Sequence, residues 1–600
     1  MHTLPDNGER YHIIRKTYFS NVVSYIIIGL TVAFGALIDA VIIGRCLGVD
    51  SMAAFSLVTP MFTVFSLFGA VISSGARYRL TMMIGKDDVD GARGIFTLSM
   101  LMGIGLSVLL MILVLVLATP ICQMLGASGG AAHLLDKARS YLTAITIGLP
   151  AMNAVWVMTA FITIDNDGRL ALLSSFVQTI VNIVLNCFVA YVISGDIFEI
   201  GLVTSISYYA ALLVLLPHFR RKERLMRFSF SAIRRKEFLS VLADGMPMGA
   251  GHVSNAVRSV ILNQLMAAGA AGAAGCIAAY SVQRQANTLL SCLVFSLSDT
   301  LLMLTGILMA EQNRPTLRRL LKTSFRSVGL VVTGVAILLF LLSPQFASVF
   351  ISDASGETLR YAADAARCYA IGMPLFALNN IFDAYSEGRG KRSLSLLLKF
   401  CSEGGLIVLS TLVLLPLIGI QAVWISFPVS QALQLVLTAL VIVAQNRKLQ
   451  LKPTNFWKWY MALPEDFDVP KADRIDCTIT SHEQVITLYH AAIDFCTDHG
   501  CDERRKYLIS LAVEEMATHT IQYGFRPGKQ NNIDMRILKK GDDYIVRIRD
   551  DCVIFDPVKK LQLYDKNIPM HHIGLQMVIG TARDVRYTTI LGLNNLVIRI

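Results

Sequence analysis

His218-Phe-Arg-Arg-Lys-Glu-Arg-Leu-Met-Arg-Phe-Ser-Phe-Ser-Ala-Ile-Arg-Arg-Lys-Glu237 is the longest polar break in a chain that is otherwise apolar from about residue 17 to residue 443. Arg220, Arg221, Lys222, Arg224, Arg227, Arg234, Arg235 and Lys236 stand there against only Glu223 and Glu237. Dense positive charge between apolar stretches resists translocation and marks a loop on the cytoplasmic side of a membrane. The apolar chain before this stretch resembles the apolar chain after it. Residues 218–237 therefore read as a basic cytoplasmic connector, a hinge between two repeats.

Composition agrees. The chain has 600 residues, too many for one compact domain. Mean hydropathy is +0.55 and only 16% of residues are charged, against about 25% in a globular chain. The net charge of +11 sits in short loops between apolar spans. That is an orientation signal and not a nucleic-acid footprint, so no nucleic-acid partner is expected. The eleven cysteines lack metal-ligand spacing and lie mostly inside apolar spans, which suits reduced packing residues. The first apolar span is too long for the core of a signal peptide.

A hydrocarbon core takes roughly 20 apolar residues per helix. On that ruler spans fall near 18–43, 52–83, 94–118, 138–163, 170–193 and 198–217, then 238–267, 276–310, 318–342, 361–387, 394–416 and 419–443. Lys and Arg crowd alternate loops: Arg15/Lys16, Lys86/Arg93, Arg169, the connector, Arg314/Arg318/Arg319, Arg389/Lys391/Arg392 and Arg447/Lys448. Twelve spans with that alternation put both termini in the cytoplasm. Ala53-Ala-Phe-Ser-Leu57 matches Ala278-Ala-Tyr-Ser-Val282, and Ile147-Gly-Leu-Pro150 matches Ile371-Gly-Met-Pro374. Six spans per half keep the halves parallel, related by an axis along the membrane normal. The expected order is an N-terminus (1–17), an N-lobe (18–217), the connector, a C-lobe (238–443), a basic and aromatic linker at the inner membrane face (444–470) and a soluble domain (471–600).

Polar groups inside spans are costly and mark functional candidates. Asp39 lies in the outer half of span one, where a carboxylate can take up H⁺ or Na⁺. Asn182 and Asn186 share one face of span five, four residues apart. In the second half His252, Asn255 and Arg258 form a stripe on span seven, and Arg284 lies in span eight. Asp383 and Glu387 share a face of span ten. Lys399 and Glu403, at i,i+4, read as an ion pair. A cavity between the halves is expected to gather His252, Asn255, Arg258, Arg284 and Asp383.

The twelve spans in two parallel sixes resemble the multidrug and toxic compound extrusion (MATE) family. So do Asp39-x4-Gly44-x3-Gly48, the paired Ile-Gly-x-Pro motifs and Asp165-Asn-Asp-Gly-Arg169. The resemblance covers about residues 12–445. It implies an antiporter that exchanges H⁺ or Na⁺ for a small organic substrate by rocking two lobes about a central cavity. It also implies that Asp39, Asn182 and Asn186 form the coupling site. The related bacterial branch usually carries aspartate where this chain has Asn186, which removes one titratable group. A flippase for a lipid-linked precursor is the alternative transport reading. A primary pump would need a phosphate loop of the Gly-x4-Gly-Lys-Ser/Thr type, and the sequence has none.

The last 130 residues read as an α/β sandwich: strands near 475–480, 532–539, 543–549, 584–590 and 594–600, with helices near 483–498, 502–523 and 574–582. Three motifs stand out: Glu515-x3-His519 on a helix, Asp550-Asp-Cys552 with Phe555-Asp-Pro557, and His571-His-Ile-Gly574. They resemble the Bergerat-type ATPase domain of histidine kinases and gyrases, in the form used by anti-sigma-factor serine kinases. The resemblance implies that Glu515 and the residue at 519 hold Mg²⁺, Asp550 reads adenine, and Gly574 opens a phosphate-binding helix. Here His519 replaces asparagine, while Cys552 and His572 replace glycines. Imidazole is a poor Mg²⁺ ligand, and a side chain at a phosphate-contacting glycine blocks close approach. The domain is therefore expected to be a degenerate ATP-binding regulatory module for a cytoplasmic protein partner. A membrane sensor that gates a kinase-like switch is the reading from a different class. His571-His572 has no third ligand nearby, so no metal site is expected.

Overall fold

The computed structural model describes all residues except 1–11, 126, 128–133, 221–223, 269–272, 351–355, 452–454, 526–530, 555 and 563–572. Long Val/Leu/Ile-rich runs fold as α1 (His12–Cys46), α2 (Gly48–Gly85), α3 (Val89–Val116), α4 (Ala118–Met124), a bent pair α5 (Leu135–Thr146) and α6 (Leu149–Ile164), α7 (Gly168–Phe188) and α8 (Ile197–Leu215). The second set is α9 (Glu237–Ala268), α10 (Ala273–Ala310), α11 (Arg314–Ser327) continued by α12 (Thr333–Leu341), α13 (Ser343–Phe350), α14 (Gly356–Gly388), α15 (Arg392–Phe400) continued by α16 (Leu406–Ile418), and α17 (Ala422–Lys448).

The repeat is written in the backbone. α2 and α10 end at Gly85 and Ala310, and both chains then turn through a left-handed residue, Asp87 (φ 61°) and Gln312 (φ 53°). Both restart on a capping side chain: Asp88 accepts from the Gly91 N–H at 2.8 Å, and Asn313 from the Thr316 N–H at 3.2 Å. The same match holds for Asn166 (φ 60°) with Gly390 (φ 75°), and for Ser194 (φ 53°) with Gly419 (φ 66°). Left-handed non-glycine residues are uncommon, and Asp87, Asn166 and Ser194 each have a left-handed counterpart 224 or 225 residues on, Gln312, Gly390 and Gly419, which reports common architecture and not shared greasiness.

Eight stretches among the described residues are long and apolar enough to cross a membrane, nine with the bent pair. One of these, 392–448, holds two rods that reverse at Gly419. α9 and α14 complete the twelve. They are more polar, with Glu237 and Asp244 on α9 and Asp383 and Glu387 on α14 buried in protein instead of facing lipid.

The lobes press together where α2 meets α9 and α10. A Cβ added to Gly75 would fall 1.9 Å from the Val241 carbonyl, and one on Gly245 1.9 Å from the Val71 carbonyl. Such approach needs residues without side chains. A Cβ on Gly306 would fall 2.3 Å from the Thr81 hydroxyl, and one on Gly85 2.5 Å from the Ala310 methyl. These contacts seal the side that carries the loops at 86–88 and 311–313.

The connector is not a free hinge. The Asp165 carboxylate accepts from the Leu225 and Met226 N–H groups at 3.0 and 2.9 Å, and Arg224 donates to the Asp165 carbonyl at 2.9 Å. Arg234 pairs with Asp88 at 3.0 Å. The buried, hydrogen-bonded segment therefore belongs to the N-lobe, because Asp165 would otherwise be an uncompensated charge. The linker likewise packs into protein: α18 (Phe456–Met461) buries Tyr460, and the Tyr385 hydroxyl donates to the Met461 carbonyl at 2.7 Å.

The soluble domain is a five-stranded antiparallel sheet in the order β1-β2-β3-β5-β4, formed by β1 (Arg474–Ile479), β2 (Ile533–Lys540), β3 (Asp543–Asp550), β4 (Asp584–Ile590) and β5 (Leu593–Arg599). α19 (His482–Asp498), α20 (Glu503–His519), a short α21 (Pro557–Gln562) and α22 (Ile573–Thr581) complete it. Alternation sorts the strands. Ile475, Cys477, Met535, Ile537, Val546, Ile548 and Ile598 form a core with α19, α20 and α22. The opposite face carries Arg536, Lys540, Arg547, Arg549, Arg586 and Arg599.

Candidate functional site

Between the lobes lies a cavity of about 670 Å³. The N-lobe contributes Asp39 from α1, Phe55 and Phe62 from α2, Tyr141 and Trp156 from the bent pair, Asn182 from α7 and Tyr208 from α8. The C-lobe contributes His252 and Asn255 from α9, Phe295 from α10, and Lys399 and Glu403. On α2 the lining ends at Ser66, just before the stretch pressed against α9 begins. The cavity is thus closed toward the 86–88 and 311–313 loops.

Asn186 donates to the Asp39 carboxylate at 2.7 Å and to the Asn182 carbonyl oxygen at 3.3 Å. The three residues read from sequence as one site are brought together, with Asn182 and Asn186 sharing the inner face of α7 as their spacing requires. A carboxylate solvated by amides at a cavity wall has the chemistry to exchange a cation with the cavity. Neither amide titrates.

The C-lobe residues separate. His252 and Asn255 line the cavity, whereas Arg258 and Arg284 line a second, much smaller pocket with Tyr280 and Tyr369. Asp383 is not among the cavity-lining residues either. It lies behind Lys399, paired with it at 3.1 Å, and Lys399 also donates to Asn380 at 3.0 Å. The expected Lys399–Glu403 pair does not form. Residues Cys401–Gly405 make a π-helical turn, whose extra residue rotates Glu403 away from the i,i+4 position. Glu403 instead approaches the Asn255 amide at 3.5 Å, and its carbonyl accepts from Arg258 at 2.8 Å. Sequence reasoning also missed two contacts between lobes: Ser74 donates to Glu387 at 2.6 Å, and Arg77 pairs with Asp299 at 2.9 Å. The signal was available, since each charge lies within a span.

In the soluble domain Glu515 and His519 meet at 3.3 Å on α20, and His519 stacks on Tyr523. Gly574 faces them, but the space beside it is taken: a Cβ there would fall 2.2 Å from a Glu515 carboxylate oxygen. Asp550 is sealed at the end of β3, where one of its oxygens accepts from Asn594 at 2.7 Å and from the Cys552 N–H at 2.9 Å. Burial pushes the Asp550 carboxyl up to about 6, against those hydrogen bonds. Burial and the neighbouring Glu514 also raise Glu515. His571, His572 and Phe555 lie outside the described residues. Among the described residues, the space beside Gly574 is thus occupied by the Glu515 side chain.

The charged face of the sheet is docked on both lobes. Arg547 pairs with Asp87 of the N-lobe loop at 3.1 Å and with Glu311 of the matching C-lobe loop, which Arg549 also reaches. Arg586 donates to the Asp87 carbonyl, and the Leu591 N–H donates to the Ile164 carbonyl at 2.8 Å. Arg536 and Arg547 are direct cross-strand partners, a like-charge pair that would destabilise the sheet without an intervening anion. Glu311 is that anion. Burial works against its ionisation, but Arg547, Arg549 and Arg536 overcome it and hold its carboxyl below the usual range.

Comparison with known proteins follows the same division. Residues 25–188 match the MatE family model, and residues 480–600 match the model of the histidine kinase-like ATPase domain. A curated relative, the probable multidrug resistance protein YoeA of Bacillus subtilis (strain 168), is 22% identical over 419 residues, 67% of this chain and 88% of that protein. Among solved structures, the outward-facing conformation of a multidrug resistance MATE family transporter of the MOP superfamily aligns at TM-score 0.67 and 18% identity. It covers 72% of this chain and 97% of its own. A mutant of the Vibrio cholerae MATE transporter VcmN aligns at TM-score 0.67 and 14% identity, over 73% and 98% of the two chains. At these identities the structural likeness establishes the fold of the membrane half.

Proposed function

The chain joins a MATE-fold membrane half, MatE domain included, to a histidine kinase-like ATPase domain, and from that premise we propose that it is an ion-driven exporter whose soluble domain acts by docking and not by turning over ATP. The observation that carries this reading is the cavity shared by both lobes, with Asp39 and its amides on its wall. Phe55, Phe62, Tyr141, Trp156 and Phe295 offer apolar and π surfaces, and Asp39 and Glu403 offer negative charge. That lining suits small organic cations and amphipathic compounds, the class to which the relatives' multidrug names also point. Entry of H⁺ or Na⁺ at Asp39 would compete with the cationic cargo for one carboxylate, which couples the two movements. With asparagine at 186, Asp39 carries the coupling alone.

The same reading places the soluble domain in the cytoplasm of a bacterial cell, since it sits on the side where the basic loops gather. Opening the cavity to that side requires the 86–88 and 311–313 loops to part, and Arg547 holds both. The domain is therefore a brace on the cytoplasm-closed state. Its degenerate Glu515, His519, Asp550 and Gly574 constellation supports a role without hydrolysis, and any Mg²⁺-ATP would have to displace the Glu515 carboxylate from Gly574.

The test is efflux from proteoliposomes under an imposed H⁺ or Na⁺ gradient. Asp39→Asn should reduce gradient-driven efflux to background while the protein remains inserted and folded. Efflux unchanged in that variant would contradict the coupling role.

A further inference from the structure

The brace encloses a cleft of about 300 Å³ between the charged sheet face and the two lobe loops. Its wall holds five cationic side chains, Lys86, Arg536, Lys540, Arg547 and Arg599, against three carboxylates, Asp87, Glu311 and Asp543. The carboxylates are committed: Asp87 and Glu311 to Arg547, and Asp543 to Arg583 at 3.0 Å. Arg536 is matched by Asp476 at 3.1 Å. Arg599 shares Asp87 with Arg547, at 3.6 Å, which leaves Lys86 and Lys540 as the two cleft cations without a carboxylate ion pair among the described residues. Lys540 reaches only the amide oxygen of Gln312, at 2.8 Å, and has no carboxylate ion pair among the described residues. Burial, followed by Arg536, Arg547 and Arg599, pushes its ammonium below the usual lysine range, as expected of a cation among cations. The buried Arg547 Nε and Arg599 Nε make no hydrogen bond. Lysines and arginines converging on a polar cleft from two directions are what a phosphate group needs. The volume is about ten times a water's share of liquid, so it admits more than solvent.

We propose that this cleft is a binding site for a phosphate-bearing anion, held by Lys540 and Arg599 of the sheet and Lys86 of the N-lobe loop. The site is on the sheet face, opposite the helices that carry Glu515 and Gly574, so it is distinct from the degenerate nucleotide pocket. Its regulatory meaning rests on the brace: an anion joining Lys86 to Lys540 would tighten the docked state. The anion is either a free phosphate compound or a lipid headgroup reaching the cytoplasmic face.

The experiment uses the purified full chain in two arms. One titrates inorganic pyrophosphate into lipid-free micelles by calorimetry, and the other measures retention of phosphatidylglycerol from mixed micelles. Saturable binding in either arm that weakens at least tenfold in Lys540→Ala, recovers in Lys540→Arg and is unmoved by Glu515→Ala supports the site, and the responding arm identifies the source. Lack of saturable binding in both arms overturns the proposal, as does binding lost in Glu515→Ala but kept in Lys540→Ala. Both readouts measure occupancy directly. Failure here therefore leaves the brace to be judged separately, by efflux after deletion of 465–600.

Discussion

Asp39, half-buried, and Asp550, buried, are both aspartates hydrogen-bonded to asparagine amides, Asn186 in one case and Asn594 in the other. Their surroundings differ in one respect. Asp39 opens onto a cavity of about 670 Å³ lined by both lobes, whereas Asp550 is closed in by the backbone of its own loop and by Asn594. On the proposed function, the first trades its solvation for a cation as the lobes shift. The second spends its hydrogen-bonding capacity on the fold. A motif match does not separate these cases, but access does.

The largest effect should come from exchanging the two in experiment. Asp39→Asn is expected to cost more than tenfold in gradient-driven efflux, and Asp550→Asn less than twofold in the same assay. Comparable losses would erase the distinction. Next in size is the interface between the charged sheet face and the two lobes. Glu311→Ala takes the carboxylate from Arg549 and leaves Arg547 with Asp87 alone, a loss of about 3–5 kcal/mol by the measure of broken buried ion pairs. Hydrogen exchange in β2 and β3 of the full chain should rise to match, while α1 and α7 stay protected. Exchange unchanged in those strands would mean the docking is weak.

Smaller still is a pH signature of Asp550. Its folded pKa of about 6 lies above that of an unfolded aspartate, so the folded state binds the extra proton. Stability is then greatest below about pH 4 from this group, and it declines as pH rises through about 6. Asp550→Asn should remove that slope and stabilise the soluble domain at pH 7 by up to about 3 kcal/mol, read as slower exchange of the domain's core amides. Destabilisation at pH 7 would show that the carboxylate is structurally required. The smallest effect is expected of Gly574→Ala. Its new methyl displaces the flexible end of Glu515, a cost of about 1 kcal/mol, with efflux unaltered.

Much of this architecture was legible before any coordinates. Loop charges and the 224–225 offset gave the lobes, and the strands of the soluble domain fall within a residue or two of their alternation. Asp39, Asn182 and Asn186 converge because helix spacing and span order place them together. Three things were not legible, each for a local reason. The π-helical turn at 401–405 adds a residue that no i,i+4 rule anticipates, so Lys399 found Asp383. The connector looked like a free basic loop because Asp165, which anchors it, lies 60 residues upstream. The docking of the charged sheet face was not read from sequence, since arginines at alternate positions of β2 and β3 suit surface and interface equally well. The opposition of Arg536 and Arg547 that calls for an anion emerges only from the strand register.

The most direct test of the account is efflux from proteoliposomes holding the full chain, driven by an ion gradient with nucleotide excluded. Full-rate export without ATP, unchanged in Glu515→Ala, is the result predicted. Export that requires ATP, or that fails in Glu515→Ala with the gradient intact, would place the motor in the soluble domain and contradict it.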